Sequence, residues 1–171
     1  MAVPIDLLPR KIYLEDFNGN YKNFISAVFE VFERDFNKNK PSFGGVRFGL
    51  KFHPSINGKA YTFYHMTHKG KIENERTPDL RRCECMPWAR VTIDKTIEYS
   101  LRFWEQDRNN KKRICIWLDP DNKGDEDYIN YFVILDVRKN YILPWTAFVA
   151  EYKHELKKKK KEYEEWMRSQ N

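Results

Sequence analysis

Three of the four histidines in this chain lie within one basic stretch, between Val46 and Arg82. Cationic side chains are interspersed with His53, His65 and His68 along this stretch: Arg47, Lys51, Lys59, Lys69, Lys71, Arg76, Arg81 and Arg82. An imidazole can give or take a proton near pH 7, and a guanidinium can stabilise the charge that develops on a phosphate during cleavage. The pattern favours phosphodiester cleavage without a metal ion, and a solvated basic surface with incidental histidines is the alternative.

RNA carries its own nucleophile, the ribose 2′-hydroxyl, so a ribonuclease must supply a base, an acid and donors to the phosphate oxygens. We predict His65 as the general base or acid, with His53 assisting. In a strand over residues 63–67, His65 and Thr67 would share one face, while Lys51 and His53 would share a face of a partner strand. Further residues are predicted to bind the substrate, through phosphate for the cations and through base stacking for the tryptophan: Lys51, Arg76, Arg81, Arg82 and Trp88.

Composition favours one folded domain over residues 1–171 and an acidic partner. The chain is 41% hydrophobic and 16% aromatic, which is enough for a substantial core. Its formal net charge of +6 favours nucleic acid, an acidic protein or an anionic surface as the partner. No P-loop or dinucleotide-binding glycine motif is present in the sequence, so nucleotide hydrolysis gains no support.

The sequence shows no apolar run long enough for a membrane span and no amino-terminal targeting pattern, so we expect a cytoplasmic protein. Its three cysteines are expected to be free thiols. Cys83 and Cys85 could join a histidine in binding zinc, but structural zinc sites usually show two spaced ligand pairs. The acidic residues over 119–127 lack the ordered spacing of a calcium loop. We therefore predict no metal and no cofactor.

Hydrophobic periodicity predicts the elements of the amino-terminal part. Residues 1–14 form an extended lead-in, and residues 15–37 carry apolar side chains at helical spacing, with Asp16 or Asn20 as the cap. Residues 46–53 and 60–68 flank an Asn57-Gly58 turn, which predicts a β-hairpin. A short helix is expected to begin with Thr77 as its cap and to end before Pro87.

The carboxy-terminal part is predicted to be a sheet followed by one helix. Strands are expected over 96–106, 113–118, 129–135 and 141–149, joined by short links as an antiparallel meander. Pro144 has no N–H to donate, so the last strand should be bulged or at an edge. A charged helix follows over 152–170. The expected fold is α+β, with an N-terminal helix and β-hairpin (15–95) packed with a four-stranded antiparallel sheet (96–150) and a basic C-terminal helix (151–171).

Two stretches of the carboxy-terminal half resemble the Barnase–EndoU–colicin–RelE superfamily of small nucleases. They are 113–118 followed by 127–135, and 141–148 with its Thr-Ala-Phe triplet after an aliphatic run. The resemblance implies N-terminal helices before a four-stranded antiparallel sheet, and a metal-independent ribonuclease of toxin-like or phage-conflict type. It also implies that Thr146 presents a hydroxyl to the scissile phosphate, that Arg113 supplies a cation, and that His65 is the catalytic histidine. The implied partners are RNA and an antitoxin or immunity protein.

Two other functions stay open at this point. The chain could be a non-catalytic RNA- or DNA-binding module that uses sheet aromatics and the run Lys157–Lys161. It could also be an accessory subunit for protein interaction, whose positive charge serves solubility alone.

Overall fold

The computed structural model describes residues 2–171 and confirms the α+β class. Five helices and two antiparallel sheets make up the fold. The helices are α1 (Tyr21–Phe32), α2 (Tyr61–Thr67), α3 (Leu80–Glu84), α4 (Met86–Asp94) and α5 (Lys153–Ser169). The strands are β1 (His68–Lys69), β2 (Thr77–Pro78), β3 (Arg102–Arg108), β4 (Lys111–Leu118), β5 (Tyr131–Val137) and β6 (Ile142–Val149).

The predicted meander forms the larger sheet, in which β3, β4, β5 and β6 lie in that order and every pair is antiparallel. The central strands β4 and β5 are covered on both faces, as their near-continuous apolar runs predict. Ile116 and Val133 pair in register and join the large core shared with helices α1 to α4. Trp117 and Phe132 also pair, and they face a small core beneath α5.

The edge strand β6 is bulged at Pro144, as predicted. Thr146 lies opposite Ile134, and Pro144 lies opposite Leu135, so Trp145 is the extra residue. On the outer side of β6, the Gly49 N–H donates to the carbonyl of Ile142 at 2.9 Å. The Ile142 N–H in turn donates to the carbonyl of Arg47 at 2.9 Å. The segment 47–49 therefore covers the start of this edge.

Helix α1 confirms most of the predicted helix over 15–37. Its buried stripe consists of Phe24, Val28 and Phe32. The predicted cap is Asn20, whose side chain accepts a hydrogen bond from the Asn23 N–H at 3.0 Å. Residues 14–17 form a separate 3₁₀ turn, and the helix continues past Phe32 as a π-helical stretch to Lys38.

The prediction of a hairpin over 46–68 is wrong. The Asn57-Gly58 turn forms, with Ile56 and Lys59 bonded across it, but the chain then enters helix α2. All seven residues of α2 are buried. A short segment that is buried on all sides shows no clear period, and its aromatic and β-branched residues resemble a strand. Tertiary contacts settle the conformation: Phe63 packs between Phe29 and Phe32 of α1, at ring distances of 5.0 and 5.3 Å.

The start of the next helix also differs from its prediction. Thr77 and Pro78 pair with β1, and Asp79 caps α3 by accepting from the backbone N–H groups of Arg81 and Arg82. Helix α3 ends before Pro87, as expected. The sequence then forms the unpredicted helix α4, which tolerates Pro87 in its first turn because no hydrogen bond is lost there.

The first strand of the larger sheet is shorter than the sequence predicts. The strand predicted over 96–106 begins only at Arg102, because Thr96 Oγ1 donates back to the carbonyl of Thr92 and extends the end of α4.

The terminal helix α5 packs on the small core through Leu156, Tyr163 and Trp166. No helix within residues 2–171 is long and apolar enough to cross a membrane.

Candidate functional site

Helix α2 places His65 between aromatic rings from two elements. His65 follows Tyr61 by one helical turn, and their ring centroids lie 5.0 Å apart. The ring of Trp145, from the bulge of β6, lies 4.9 Å from His65. A second pair on α2, Tyr64 and His68, is spaced in the same way at 4.4 Å. The side chain of His65 keeps only 10% of its surface exposed, so its surroundings control its protonation.

The imidazole of His65 is neutral at pH 7. Its Nε2 lies 3.1 Å from Oε1 of Glu73, and because a carboxylate only accepts, Nε2 must carry the proton. Nδ1 then holds a lone pair, and it has no hydrogen-bond partner. Burial lowers the pKa of His65 to about 4, and nearby positive charges add to this effect. Those charges belong to Arg76, Arg82, Lys51 and Arg113.

Arg82 joins helices α2 and α3 to strand β6. Its Nη1 donates to the carbonyl of His68 at 2.9 Å and to Oγ1 of Thr146 at 3.1 Å. Oγ1 of Thr146 donates in turn to the carbonyl of His65 at 3.1 Å. Asp79 balances the charge of the guanidinium, with 3.2 Å between its Oδ2 and Arg82 Nε. The predicted residues His65, Arg82 and Thr146 therefore form one connected group.

Arg76 approaches the same helix end from the loop between β1 and β2. Its Nη2 donates to the carbonyl of His68 at 2.6 Å, and its Nη1 donates to the carbonyl of Gly70 at 3.2 Å. Cations are favourable at the carboxyl end of a helix, where carbonyl groups lack partners within the helix. Arg76 and Arg82 thus stabilise the end of α2 while they bring two positive charges close to His65.

Arg113 reaches the site from β4, across the intervening strand β5. Its guanidinium lies over the ring of Trp145, 4.6 Å from the centroid, and 3.6 Å separate its Nε from Oδ1 of the buried Asp136. Lys51 completes the group, with its Nζ 4.4 Å from the ring centroid of Tyr61. The structure therefore brings six predicted site residues together: Lys51, His65, Arg76, Arg82, Arg113 and Thr146.

This group is rich in buried polar atoms without partners. Across residues 2–171, seven buried side-chain nitrogen or oxygen atoms make no hydrogen bond. Four of them belong here: Nδ1 of His65 and the Nε atoms of Arg76, Arg82 and Arg113. Native proteins leave few such atoms unpaired, because each costs free energy. Two of these Nε atoms already face carboxylates, since Arg82 Nε lies 3.2 Å from Oδ2 of Asp79 and Arg113 Nε lies 3.6 Å from Oδ1 of Asp136. The atoms without any partner are Nδ1 of His65, a spare acceptor, and Nε of Arg76, a spare donor. Their positive surroundings suit an anion that also has a proton to give.

A shallow hollow leads toward His65. Residues from α2, the bulge of β6 and the preceding loop line it: Lys51, Tyr61, Thr62, His65, Leu143, Pro144 and Trp145. The hollow is too narrow in this conformation to admit a water molecule. Access to His65 therefore requires a rim side chain, Lys51 or Trp145, to move aside.

Three predicted site residues lie elsewhere. Trp88 is 1% exposed in the large core, and its indole N–H donates to the carbonyl of Pro9 at 2.7 Å, so its prediction as a stacking surface is wrong. His53 lies in the exposed loop before α2 rather than on a strand beside His65, and within residues 2–171 its side chain makes no hydrogen bond. Arg81 is exposed on α3, and its side chain makes no hydrogen bond to the group around His65.

Sequence reasoning missed Glu73 and the role of Tyr61. The four-residue spacing of Tyr61 and His65 was a visible signal, but it points to stacking only if the segment is a helix. Glu73 gave no signal, because the small sheet of β1 and β2 determines its position.

The cysteines lie apart from this chemistry. Cys83, Cys85 and Cys115 are buried free thiols, and burial raises the pKa of Cys83 and of Cys115 to about 12, which keeps them protonated. In the part of the chain that the structure describes, no three His, Cys, Asp or Glu side chains are grouped to hold a metal ion.

No protein-family model, curated protein or solved structure matches this chain.

Proposed function

We propose that the chain is a metal-independent endoribonuclease in which His65 is the general base. One observation carries the proposal: a neutral imidazole with an unpartnered Nδ1 lies among four cations that come from separate parts of the sequence. A phosphodiester fits such surroundings because its negative charge matches the cations. The adjacent 2′-hydroxyl supplies the proton that Nδ1 can accept.

The reaction follows from the roles of the residues. Nδ1 of His65 takes the proton of the 2′-hydroxyl, the 2′-oxygen bonds to phosphorus, and the bond from phosphorus to the 5′-oxygen breaks. Arg82 and Thr146 contact the phosphate, and Arg113 stabilises its added charge. The leaving 5′-oxygen takes a proton from Lys51 at the rim of the hollow. Glu73 fixes the ring tautomer through Nε2. The products are a 2′,3′-cyclic phosphate and a free 5′-hydroxyl.

The low pKa of His65 gives this proposal a distinct pH dependence. In the free protein the base loses its proton near pH 4, so kcat/KM should rise through that range and then level off. A bound phosphate offsets the positive charges that help to lower this pKa. The acid limb of kcat should therefore lie at a higher pH than the acid limb of kcat/KM.

The direct test is cleavage of a fluorogenic RNA in excess EDTA. Wild-type protein should cleave it and leave a cyclic phosphate end, and His65→Ala should lose activity by roughly 10²- to 10⁴-fold. His154→Ala is the matched control, because His154 is exposed and stacks on Tyr152 near the start of α5. Cleavage that requires a metal, or equal activity in wild type and His65→Ala, would contradict the proposal.

One observation favours the second candidate, an RNA-binding module that does not cleave: the hollow beside His65 admits no water molecule, so a 2′-hydroxyl does not reach Nδ1 in this conformation. The short hydrogen bonds of Arg76 and Arg82 go to backbone carbonyls, so part of the group already has a structural role. For such a module, wild-type protein and His65→Ala would bind RNA with similar affinity, and neither would cut it.

The toxin-like setting and an antitoxin or immunity protein belong to the same proposal. A ribonuclease that acts on cellular RNA slows the growth of its expression host and so lowers the yield of expressed protein. Replacement of His65 by Ala, or expression with a protein that covers the site, should therefore restore the yield.

A further inference from the structure

Charge is divided between the two ends of the larger sheet. Since the four strands form a meander, the β3–β4 turn and the β5–β6 turn lie at the same end. This end, named the cationic end, carries Arg108, Lys111, Lys112, Arg113, Arg138 and Lys139. The β4–β5 connection lies at the opposite end and carries Asp119, Asp121, Asp125, Glu126 and Asp127.

Acidic neighbours neutralise only part of the cationic end. Asp136 is 1% exposed and lies between Arg113 and Arg138, at 3.6 and 2.6 Å. Lys112 pairs with Glu105 at 3.0 Å, Asp107 faces Lys112 in register, and Arg108 lies 3.9 Å from Glu162. Within residues 2–171, Lys111 and Lys139 form no ion pair. Two free ammonium groups on adjacent turns can therefore reach an external anion.

The turn between β3 and β4 keeps its cations close together. Asn109 and Asn110 both have positive φ angles, 51° and 62°, as a two-residue hairpin turn requires. Arg108 and Lys111 therefore flank the turn as direct cross-strand partners. Neighbouring strands lie about 4.8 Å apart, so cations on successive strands form a row across the sheet end.

Arg113 connects this row to His65. It lies within 4.6 Å of the ring centroid of Trp145, and that ring lies 4.9 Å from His65. Trp145, half-buried between Arg113 and His65, thus joins the row of cations to the imidazole. Cations that follow a nucleic-acid backbone are typical of proteins that bind single-stranded nucleic acid.

We infer that the cationic end binds the backbone phosphates of a single-stranded RNA segment that leads to His65. This inference rests on the proposed function for its choice of RNA as ligand. The lysines of α5 lie outside the binding surface, although that helix is richer in lysine. Two of them are already paired, Lys159 with Glu162 at 3.2 Å and Lys161 with Glu165 at 3.9 Å. Within residues 2–171, no contact links these lysines to Arg113, which connects the cationic end to the ring beside His65.

The test compares two triple variants that lose the same charge. One is Lys111→Ala, Lys112→Ala and Lys139→Ala at the cationic end, and the other is Lys157→Ala, Lys158→Ala and Lys161→Ala on α5. All six lysines are exposed. The probe is a fluorescent 2′-O-methyl oligoribonucleotide of about 12 nucleotides, a length within the usual range of such sites, which cannot be cut. Fluorescence anisotropy gives its affinity over a series of salt concentrations.

The logarithm of the association constant falls with the logarithm of salt by about 0.7 for each phosphate contact on a single strand. The cationic-end variant should therefore lose about 1.4 from this slope, for the two unpaired lysines Lys111 and Lys139, and the α5 variant should keep the slope of wild type. Lys139→Ala alone should lose about 0.7, which checks the result without multiple changes. Equal losses in both triple variants would overturn the inference, as would absence of salt-dependent binding by wild type.

The two proposals can fail separately. If wild type binds the probe as expected but cuts no RNA in EDTA, the ribonuclease proposal is wrong, and the inference that the cationic end binds RNA is kept. If wild type cuts RNA and the cationic-end variant binds like wild type, the ribonuclease proposal stands and the inference about the cationic end falls.

Discussion

The small core beneath α5 and the group around His65 meet at Trp145, yet they contain opposite kinds of side chain. In the small core, Trp117 and Phe132 stack at 5.5 Å, and the Trp117 indole N–H donates to Oδ1 of Asn130 at 2.9 Å. Around His65, Nδ1 of the imidazole and Nε of Arg76 are buried without any partner, and Arg82 and Arg113 add positive charge. Among the described residues, the small core holds one such polar atom, Nε1 of Trp104.

Under the proposed function, the difference is between residues that only stabilise the fold and residues that would also bind a phosphate. Burial of aromatic surface contributes to folding directly. Burial of an unpaired polar atom costs free energy, and an anion that binds among the surrounding cations would offset that cost. The two regions should therefore respond differently to substitution and to pH.

The largest expected effect on stability lies in the small core. Phe132 is fully buried and stacks with Phe148 at 5.2 Å, so Phe132→Ala should lower the free energy of unfolding by about 3 to 5 kcal/mol. Urea unfolding measures this change. RNA cleavage for each folded molecule should stay at the wild-type level. A loss of activity that exceeds the loss of folded protein would show that the small core also contributes to cleavage.

A pH-dependent effect of intermediate size is expected at His65. Its pKa is about 4 in the folded chain and 6.5 as an ordinary value, so the unfolded chain binds more protons between these values. The free energy of unfolding should thus decrease as pH falls from 6.5 to 4, by about 3 kcal/mol from this group. Below pH 4 this contribution is fully lost.

Unfolding in urea at a series of pH values tests the expectation. His65→Gln should remove most of this slope, while His154→Gln should keep it. His68, whose pKa burial also lowers, adds a contribution of the same sign in all three proteins. An unchanged slope in His65→Gln would mean that the imidazole is not held neutral by its surroundings.

A smaller effect is expected at the bond between α3 and β6. Thr146→Val removes the hydroxyl that accepts from Arg82 and donates to His65, which should cost about 1 to 2 kcal/mol of stability. Thr146→Ser keeps both hydrogen bonds and should stay near wild type. Urea unfolding ranks the three proteins, and a cleavage assay shows whether activity follows the hydroxyl. Equal stability of the Thr146→Val and Thr146→Ser variants would mean that the hydroxyl of Thr146 does not stabilise the contact with Arg82 and His65.

The sheet could be predicted well because its signals are local. Residues 113–118 and 129–135 are apolar runs bounded by polar turns, and such runs are typical of strands covered on both faces. Pro144 indicated an edge or a bulge, and the structure shows both.

Helix α2 could not be predicted in the same way. Its residues are mostly aromatic or β-branched, so propensity and the preceding Asn57-Gly58 turn both favoured a hairpin. Packing of Phe63 against α1 and of His65 against β6 overrides that preference. These contacts join residues far apart in sequence, and no local pattern reports them.

The sequence was enough to predict which residues form the site, but it was not enough to predict how they are arranged. Residue type and the family resemblance pointed to His65, Arg82 and Thr146, although the last two are 64 positions apart. The strand geometry assumed for His65 and Thr67 was wrong, and Trp88 was misplaced because a tryptophan after a proline was taken for a loop residue.

The segment 47–49, which covers the start of β6, has a consequence for self-association of the protein at high concentration. Residues 47–49 occupy the start of that edge, and Pro144 removes a donor farther along it. The other edge, β3, carries Glu105, Asp107 and Arg108, whose charges oppose the approach of a like strand. A strand of a second molecule therefore cannot pair with the start of β6, and charge repulsion disfavours its pairing with β3. Both effects disfavour aggregation of this aromatic-rich sheet through its edge strands.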